Sequence, residues 1–145
     1  MDVRLITKSG VEERGVEELP LLLQGEDGLV WVDIPAWDDE AVHVLSEAFR
    51  FHPLAVNDAM ERNRVPKMHA YHDHVFVILH APERGQHGHV HYIELDQFIG
   101  VRYLVTMHGP INPAVHPDVA LRETRAVLQR IQAGRLRPTT AAQLS

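Results

Sequence analysis

Apolar positions along this chain follow two periods, and the switches between them mark out its elements. Val3 to Thr7 alternates as a short opening strand. Val16 to Leu23 reads as a short helix, with Pro20 tolerable only in the first turn, where its missing N–H removes no hydrogen bond. A turn cluster, Gly25-Glu26-Asp27-Gly28, precedes Leu29-Val30-Trp31-Val32-Asp33-Ile34, which is apolar on both alternating faces. That pattern belongs to a strand buried on both sides, hence to a sheet covered by helices. Asp38 is placed to cap the next helix, in which Ala41, Val42, Val44, Leu45, Ala48 and Phe49 recur at helical spacing. Pro53 fits the first position of a further helix running to Met60.

Beyond Pro66 the period returns to two. Lys67 to Tyr71 and Val75 to Leu79 read as strands joined at His72-Asp73, and Pro82 to Gly88 reads as a polar, flexible loop. Val90 to Ile99 and Tyr103 to Met107 are two more strands, turning at Gly100-Val101-Arg102. Short connections between successive strands predict an antiparallel meander. The helical period resumes after Asn112 or His116, each of which precedes a proline. Its stripe is Ala120, Leu121, Thr124, Val127, Leu128 and Ile131, and Gly134 ends it. The predicted fold class is α/β: a mixed, largely antiparallel sheet flanked by helices.

Thr140-Ala141-Ala142-Gln143 has the form of a capping box that opens a helix close to Ser145. The expected organisation is a domain over residues 1–137, with residues 138–145 starting a helix that leads onward. No run approaches the roughly 20 apolar residues that span a bilayer, and Met1-Asp2-Val3-Arg4 lacks a secretory leader. The expectation is a soluble piece on the cytoplasmic side.

Composition narrows the chemistry. With no cysteine, disulfides, zinc–thiolate sites and thiol nucleophiles are excluded. Twenty acidic groups against 14 basic ones, a net charge of −6, speak against a nucleic-acid partner, which needs a concentrated basic face. They suit a surface that holds hard cations through carboxylates.

Five blocks, in order, carry a resemblance: Val30-Trp31-Val32-Asp33-Ile34; Phe51-His52-Pro53-Leu54-Ala55-Val56-Asn57-Asp58-Ala59; Arg64-Val65-Pro66-Lys67-Met68 with Tyr71; Phe76-Val77-Ile78-Leu79; and Asp96-Gln97-Phe98-Ile99-Gly100 followed by Leu104-Val105-Thr106-Met107-His108. Over residues 29–110 the chain resembles the cytoplasmic domain of the CorA-like magnesium and divalent-metal transporters. The resemblance implies an α/β/α sandwich followed by a stalk helix and two transmembrane helices. It also implies a ring of five subunits in the full-length protein, at the cytoplasmic face of the cell membrane. The isolated domain is then a monomer or dimer whose natural partners are its own stalk and membrane helices. The family's pore triplet, Gly-Met-Asn, does not occur in this chain. What the resemblance leaves to it is regulation by cations held between neighbouring domains, Mg2+ first and Co2+, Ni2+ or Zn2+ as alternatives, with no organic cofactor. One family site has an acidic residue in the loop where this chain carries Glu83. Asn57 departs from the family's usual glutamate.

Each block also has a physical reading. His52 is pushed out of the α region by Pro53 and so sets the entry to the helix. Arg64 and Lys67 are placed to pair with Asp58 or Glu61, and Trp31 reads as core. Eleven histidines are left to carry any transition-metal chemistry. In an extended chain His87, His89 and His91 share one face at roughly 7 Å spacing, and with Glu83 they form the candidate metal set. His69, His72, His74 and His80 lie in the neighbouring hairpin. Histidine with Asp73 or Asp96 is a possible acid–base pair. No nucleophile elbow, phosphate loop or His-Glu-x-x-His pattern is present, so an enzyme is not expected. Two alternatives to the regulatory domain stay open: a stand-alone interaction domain of the same fold, and a histidine-based metal-binding protein.

Overall fold

The strands are β1 (Asp2–Thr7), β2 (Gly10–Arg14), β3 (Leu29–Ile34), β4 (Lys67–Ala70), β5 (Val75–Arg84), β6 (Val90–Ile99) and β7 (Tyr103–His108). They form one seven-stranded sheet in the order β2-β1-β3-β7-β6-β5-β4. The computed structural model describes residues 1–110, 113 and 115–145, with Gln86 described by its backbone. Strands β3 and β7 run parallel, Val30 beside Tyr103 through Ile34 beside Met107. The other neighbours are antiparallel. The expected meander is therefore β4 to β7, and all six residues of β3 are buried.

Helices cover both faces, giving the α/β/α sandwich. On the first face lie α1 (Leu19–Gln24), α2 (Asp39–His43), which continues through a π-helical turn at Val44–Ala48, and α3 (Pro53–Met60). Ala41, Ala55 and Ala59 let these helices approach Val32, Phe76, Ile78, Phe98 and Val105 of the sheet. The rings of Phe49, Phe51 and Phe98 stack in series, with centroids 5.0 Å and 4.2 Å apart. On the second face α4 (Pro117–Ala120), α5 (Arg122–Gln132) and α6 (Ala141–Leu144) follow one another. Ile131, Ala141 and Leu144 close over Ile6, Leu29, Trp31 and Leu104. Residues 138–145 thus pack on the domain through Ala141 and Leu144.

The helix starts follow from local chemistry. Asp38 accepts a hydrogen bond from the Ala41 amide at 2.7 Å. His52 and His116, each held extended by the proline that follows, cap α3 and α4 in the same way: each Nδ1 accepts from the amide two residues on, at 3.2 Å.

Four expectations are corrected. Strand β2 is unforeseen because Gly10-Val11-Glu12-Glu13-Arg14 has one apolar side chain; as an edge strand it needs no buried face. Of the loop expected over Pro82 to Gly88, Pro82 to Arg84 are strand and only Gly85 to Gly88 form the turn. Strand β5 continues to Arg84, and Pro82 pairs with Tyr92. Proline is tolerated there because β4 pairs only with Val75 to Ile78, leaving β5 beyond that point with a neighbour on one side. The last long helical stripe is broken at Leu121 into α4 and α5. It begins at His116; Asn112 lies outside the described residues. The capping box at Thr140 is half made: Thr140 accepts from the Gln143 amide, but Gln143 Oε1 takes the amide and hydroxyl of Thr139.

Replacing Phe98 by alanine removes the sheet-side end of the aromatic stack and leaves a cavity against Phe51 and Phe76. Urea unfolding is expected to show a loss of about 3–5 kcal/mol. A loss below about 1 kcal/mol would show that helices and sheet are held together elsewhere.

Candidate functional site

Three groups of polar side chains are built into or beside the sheet. The first lies at the carboxyl ends of the parallel pair. Asp33 on β3 and His108 on β7 are both buried, and His108 Nε2–H donates to Asp33 Oδ1 at 2.9 Å. The Thr106 hydroxyl donates to the same oxygen, and Trp31 Nε1–H donates to Thr106 Oγ1 at 3.1 Å. Thr124 of α5 lies 3.4 Å from His108 Nε2. Arg4 is stacked over Trp31, 5.4 Å from the ring centroid, and bonds Asp2 at 2.7 Å. Burial by itself raises the pKa of Asp33. The hydrogen bond and attraction of His108, the Thr106 hydroxyl and the charge of Arg4 outweigh it, so the carboxyl titrates below its usual range. The chain Trp31–Thr106–Asp33–His108–Thr124 is a polar seam joining the sheet to α5.

The second group lies on the α3 face of the meander. Asp96 is fully buried, and neither carboxyl oxygen has a hydrogen-bond partner among the described residues. Burial, then the charges of Glu94 and Asp58, push its pKa up to about 8 against the pull of Lys67. At neutral pH it carries a proton. Lys67 Nζ instead pairs with Asp58 at 2.9 Å, the pairing foreseen for those motifs. Glu94 accepts from the Asn63 amide at 2.9 Å and from its side chain at 3.0 Å, and His80 Nε2 lies 3.9 Å away. Asp96 therefore forms no acid–base pair with histidine. Asp73 does: its carboxylate meets Nδ1 of the buried His74 at 2.7 Å.

The third group is the histidine hairpin. Glu83, His87, His89 and His91 line one open concavity of about 590 Å3, together with His116 and Val119 from the other side. Glu83 and His91 are ladder partners, and the Gly85 amide donates to the His89 carbonyl at 2.8 Å. Glu83 is engaged by Arg122, at 3.1 and 3.5 Å. His87 sits in the turn with φ 56, a left-handed backbone that costs a non-glycine residue on the order of 1 kcal/mol. The structure brings the four expected residues to one basin. Among the described residues, however, no three histidine, aspartate or glutamate side chains already converge as a metal cage.

Two measurements probe the buried groups. Removing the His108 side chain leaves the Asp33 carboxylate short of a donor, so His108→Ala is expected to cost on the order of 2–3 kcal/mol in urea unfolding. The raised Asp96 pKa makes a signed expectation. Between its ordinary value of 3.8 and about 8 the native state holds a proton that the unfolded chain has lost. This stabilisation is full below the lower value and disappears as pH rises through the upper one. Asp96→Asn cannot ionise, so relative to the natural chain it is expected to gain up to about 1.4 kcal/mol per pH unit in that window. Parallel stability curves for the two proteins between pH 5 and 8 would contradict the buried neutral acid.

Residues 26–145 match the family model described as CorA-like Mg2+ transporter protein. A Bacillus subtilis (strain 168) protein named as a metal ion transporter, YfjQ, is 28% identical over 112 residues, 76% of this chain and 34% of that protein. The chain thus spans about a third of that relative's length. The full-length CmaX structure superposes on 99% of this chain and 42% of its own, at TM-score 0.73 and 16% identity. The CorA magnesium transporter of Methanocaldococcus jannaschii covers 90% of this chain and 37% of its own, at TM-score 0.62 and 15% identity. At these identities the two structures speak to the fold alone, and they share it. No described helix is long and apolar enough to cross a membrane. By the match over residues 26–145, this chain belongs to the CorA-like Mg2+ transporter family.

Proposed function

We propose that the chain is the cation-responsive regulatory domain of a CorA-like divalent-metal transporter, working outside the pore. The observation that carries this reading is the family match over residues 26–145 in a chain that spans only about a third of its relative. A fold closed by two complete cores and bearing 20 acidic residues fits a domain that answers to ions and leaves conduction to other segments. In this reading residues 1–137 are the body of the domain and residues 138–145 start the connection toward stalk and membrane helices. In the intact protein the domains sit at the cytoplasmic membrane face as a homo-oligomeric ring. Mg2+ between neighbours offsets the repulsion of their acidic surfaces, because a hard dication prefers carboxylate oxygen. The domain performs no catalysis in this scheme.

Limited proteolysis and light scattering of the purified chain, titrated with MgCl2 through concentrations on the order of millimolar, test the reading. Saturable protection or a shift toward larger assemblies is expected, and NaCl at equal ionic strength is expected to produce neither. Indifference to Mg2+ and to other dications alike would overturn the cation-sensing role.

A further inference from the structure

The basin beside the histidine hairpin is where the chain departs from hard-cation chemistry. Glu83 and His91 are directly paired across the β5–β6 ladder, so their side chains leave the same face of the sheet. That is the face of α4 and α5, since Arg122 of α5 reaches Glu83. His89 lies two residues before His91, at the foot of the hairpin turn. Gly85 makes the floor: a Cβ there would lie 2.5 Å from His91 Nε2, so the imidazole fills the space that glycine leaves. His116 faces the hairpin from the head of α4. Its Nδ1 is used as the helix cap, which points ligation to Nε2.

We propose that this concavity binds a borderline transition-metal dication of the zinc, cobalt or nickel class. His89, His91 and His116 supply nitrogen and Glu83 supplies oxygen. Imidazole nitrogen with one carboxylate favours such ions over Mg2+, which holds its water and asks for oxygen. The four groups come from a hairpin and a short helix, not from one rigid element, and in the proposal side-chain movement brings them together on the ion. The resident partner of Glu83 is weak: Arg122 is more than half exposed, and exposed pairs contribute little. A dication entering the basin takes Glu83 from Arg122. Metal binding thereby releases a tie between the hairpin and α5.

Calorimetric titration of the whole chain with ZnCl2, and Co2+ absorption as a reporter of coordination, decide the matter. One tight equivalent is expected, with roughly a hundredfold excess of Mg2+ failing to displace it. His89→Ala with His91→Ala is expected to lower affinity by about tenfold or more, and His116→Ala and Glu83→Gln by several-fold each. Arg122→Met, which frees Glu83, is expected to raise it. His69→Ala with His72→Ala, in the neighbouring hairpin, serves as the control and should leave it unchanged. The altered side chains are surface groups of the basin, and circular dichroism verifies each fold. Unchanged Zn2+ affinity in the His89/His91 double variant, equal competition by Mg2+, or no Zn2+ binding at all would overturn the site. The regulatory reading is read out separately, by the response to Mg2+, so either can fail without the other.

Discussion

The parallel pairing of β3 with β7 is the constraint on which the rest of the molecule depends. It joins residues about 70 positions apart and sets two antiparallel units side by side, the β1–β2 hairpin with β3 and the β4–β7 meander. A parallel neighbour cannot be reached by a tight turn, so the intervening chain must leave the sheet and return. It does so through α2 and α3, which lie over the first face. Because β3 then has a strand on either side and helices above and below, each of its six residues is buried. Closing so long a loop adds only slowly to the entropic cost, but the pairing is non-local and makes folding slow relative to a helical bundle of this size.

Much of this arrangement is legible in the apolar pattern. The unbroken run Leu29 to Ile34 announces a doubly covered strand, and the Asp38 and His52-Pro53 signals place two helix starts correctly. What the pattern misses is of one physical kind. Strand β2 and the outer half of β5 are polar and sit at edges, where pairing comes from the backbone ladder and not from burial of a face. Hydrophobic periodicity is silent about such segments. Residues His80 to Arg84 become strand because β6 offers ten consecutive partners, information that resides in the other strand.

The polar groups divide in the same way. Those set by local spacing, such as the Asp58–Lys67 pair and the clustering of Glu83, His87, His89 and His91, can be read along the chain. Asp33 and His108 are 75 positions apart, and only the parallel register lays them beside each other. His116 joins the histidine basin because α4 folds back over the hairpin. One signal for the buried acid was present: Asp96 shares its strand face with Phe98, so alternation alone puts a carboxyl in a core position. Its protonation follows from tertiary charges, Glu94 and Asp58, that alternation does not supply.

Strand β6 gathers these threads. Its even-numbered side chains, Glu94, Asp96 and Phe98, turn toward α3, whereas His91 and the odd-numbered residues after it turn toward α4 and α5. Along β6 this two-residue period puts Glu94 and Asp96 on one side of the sheet and His91 on the other, with the backbone layer between them. The two sides answer to different chemistry. On the carboxylate side Lys67 already supplies a cation to Asp58, and a proton keeps Asp96 neutral, so repulsion there is relieved within the domain. On the side of α4 and α5, Glu83 is held by an exposed arginine of α5. The α3 side is thus internally compensated, while the histidine basin is open and its ion pair is exposed. Of the two, the histidine side is the one whose charge an external dication can change without first unfolding the core.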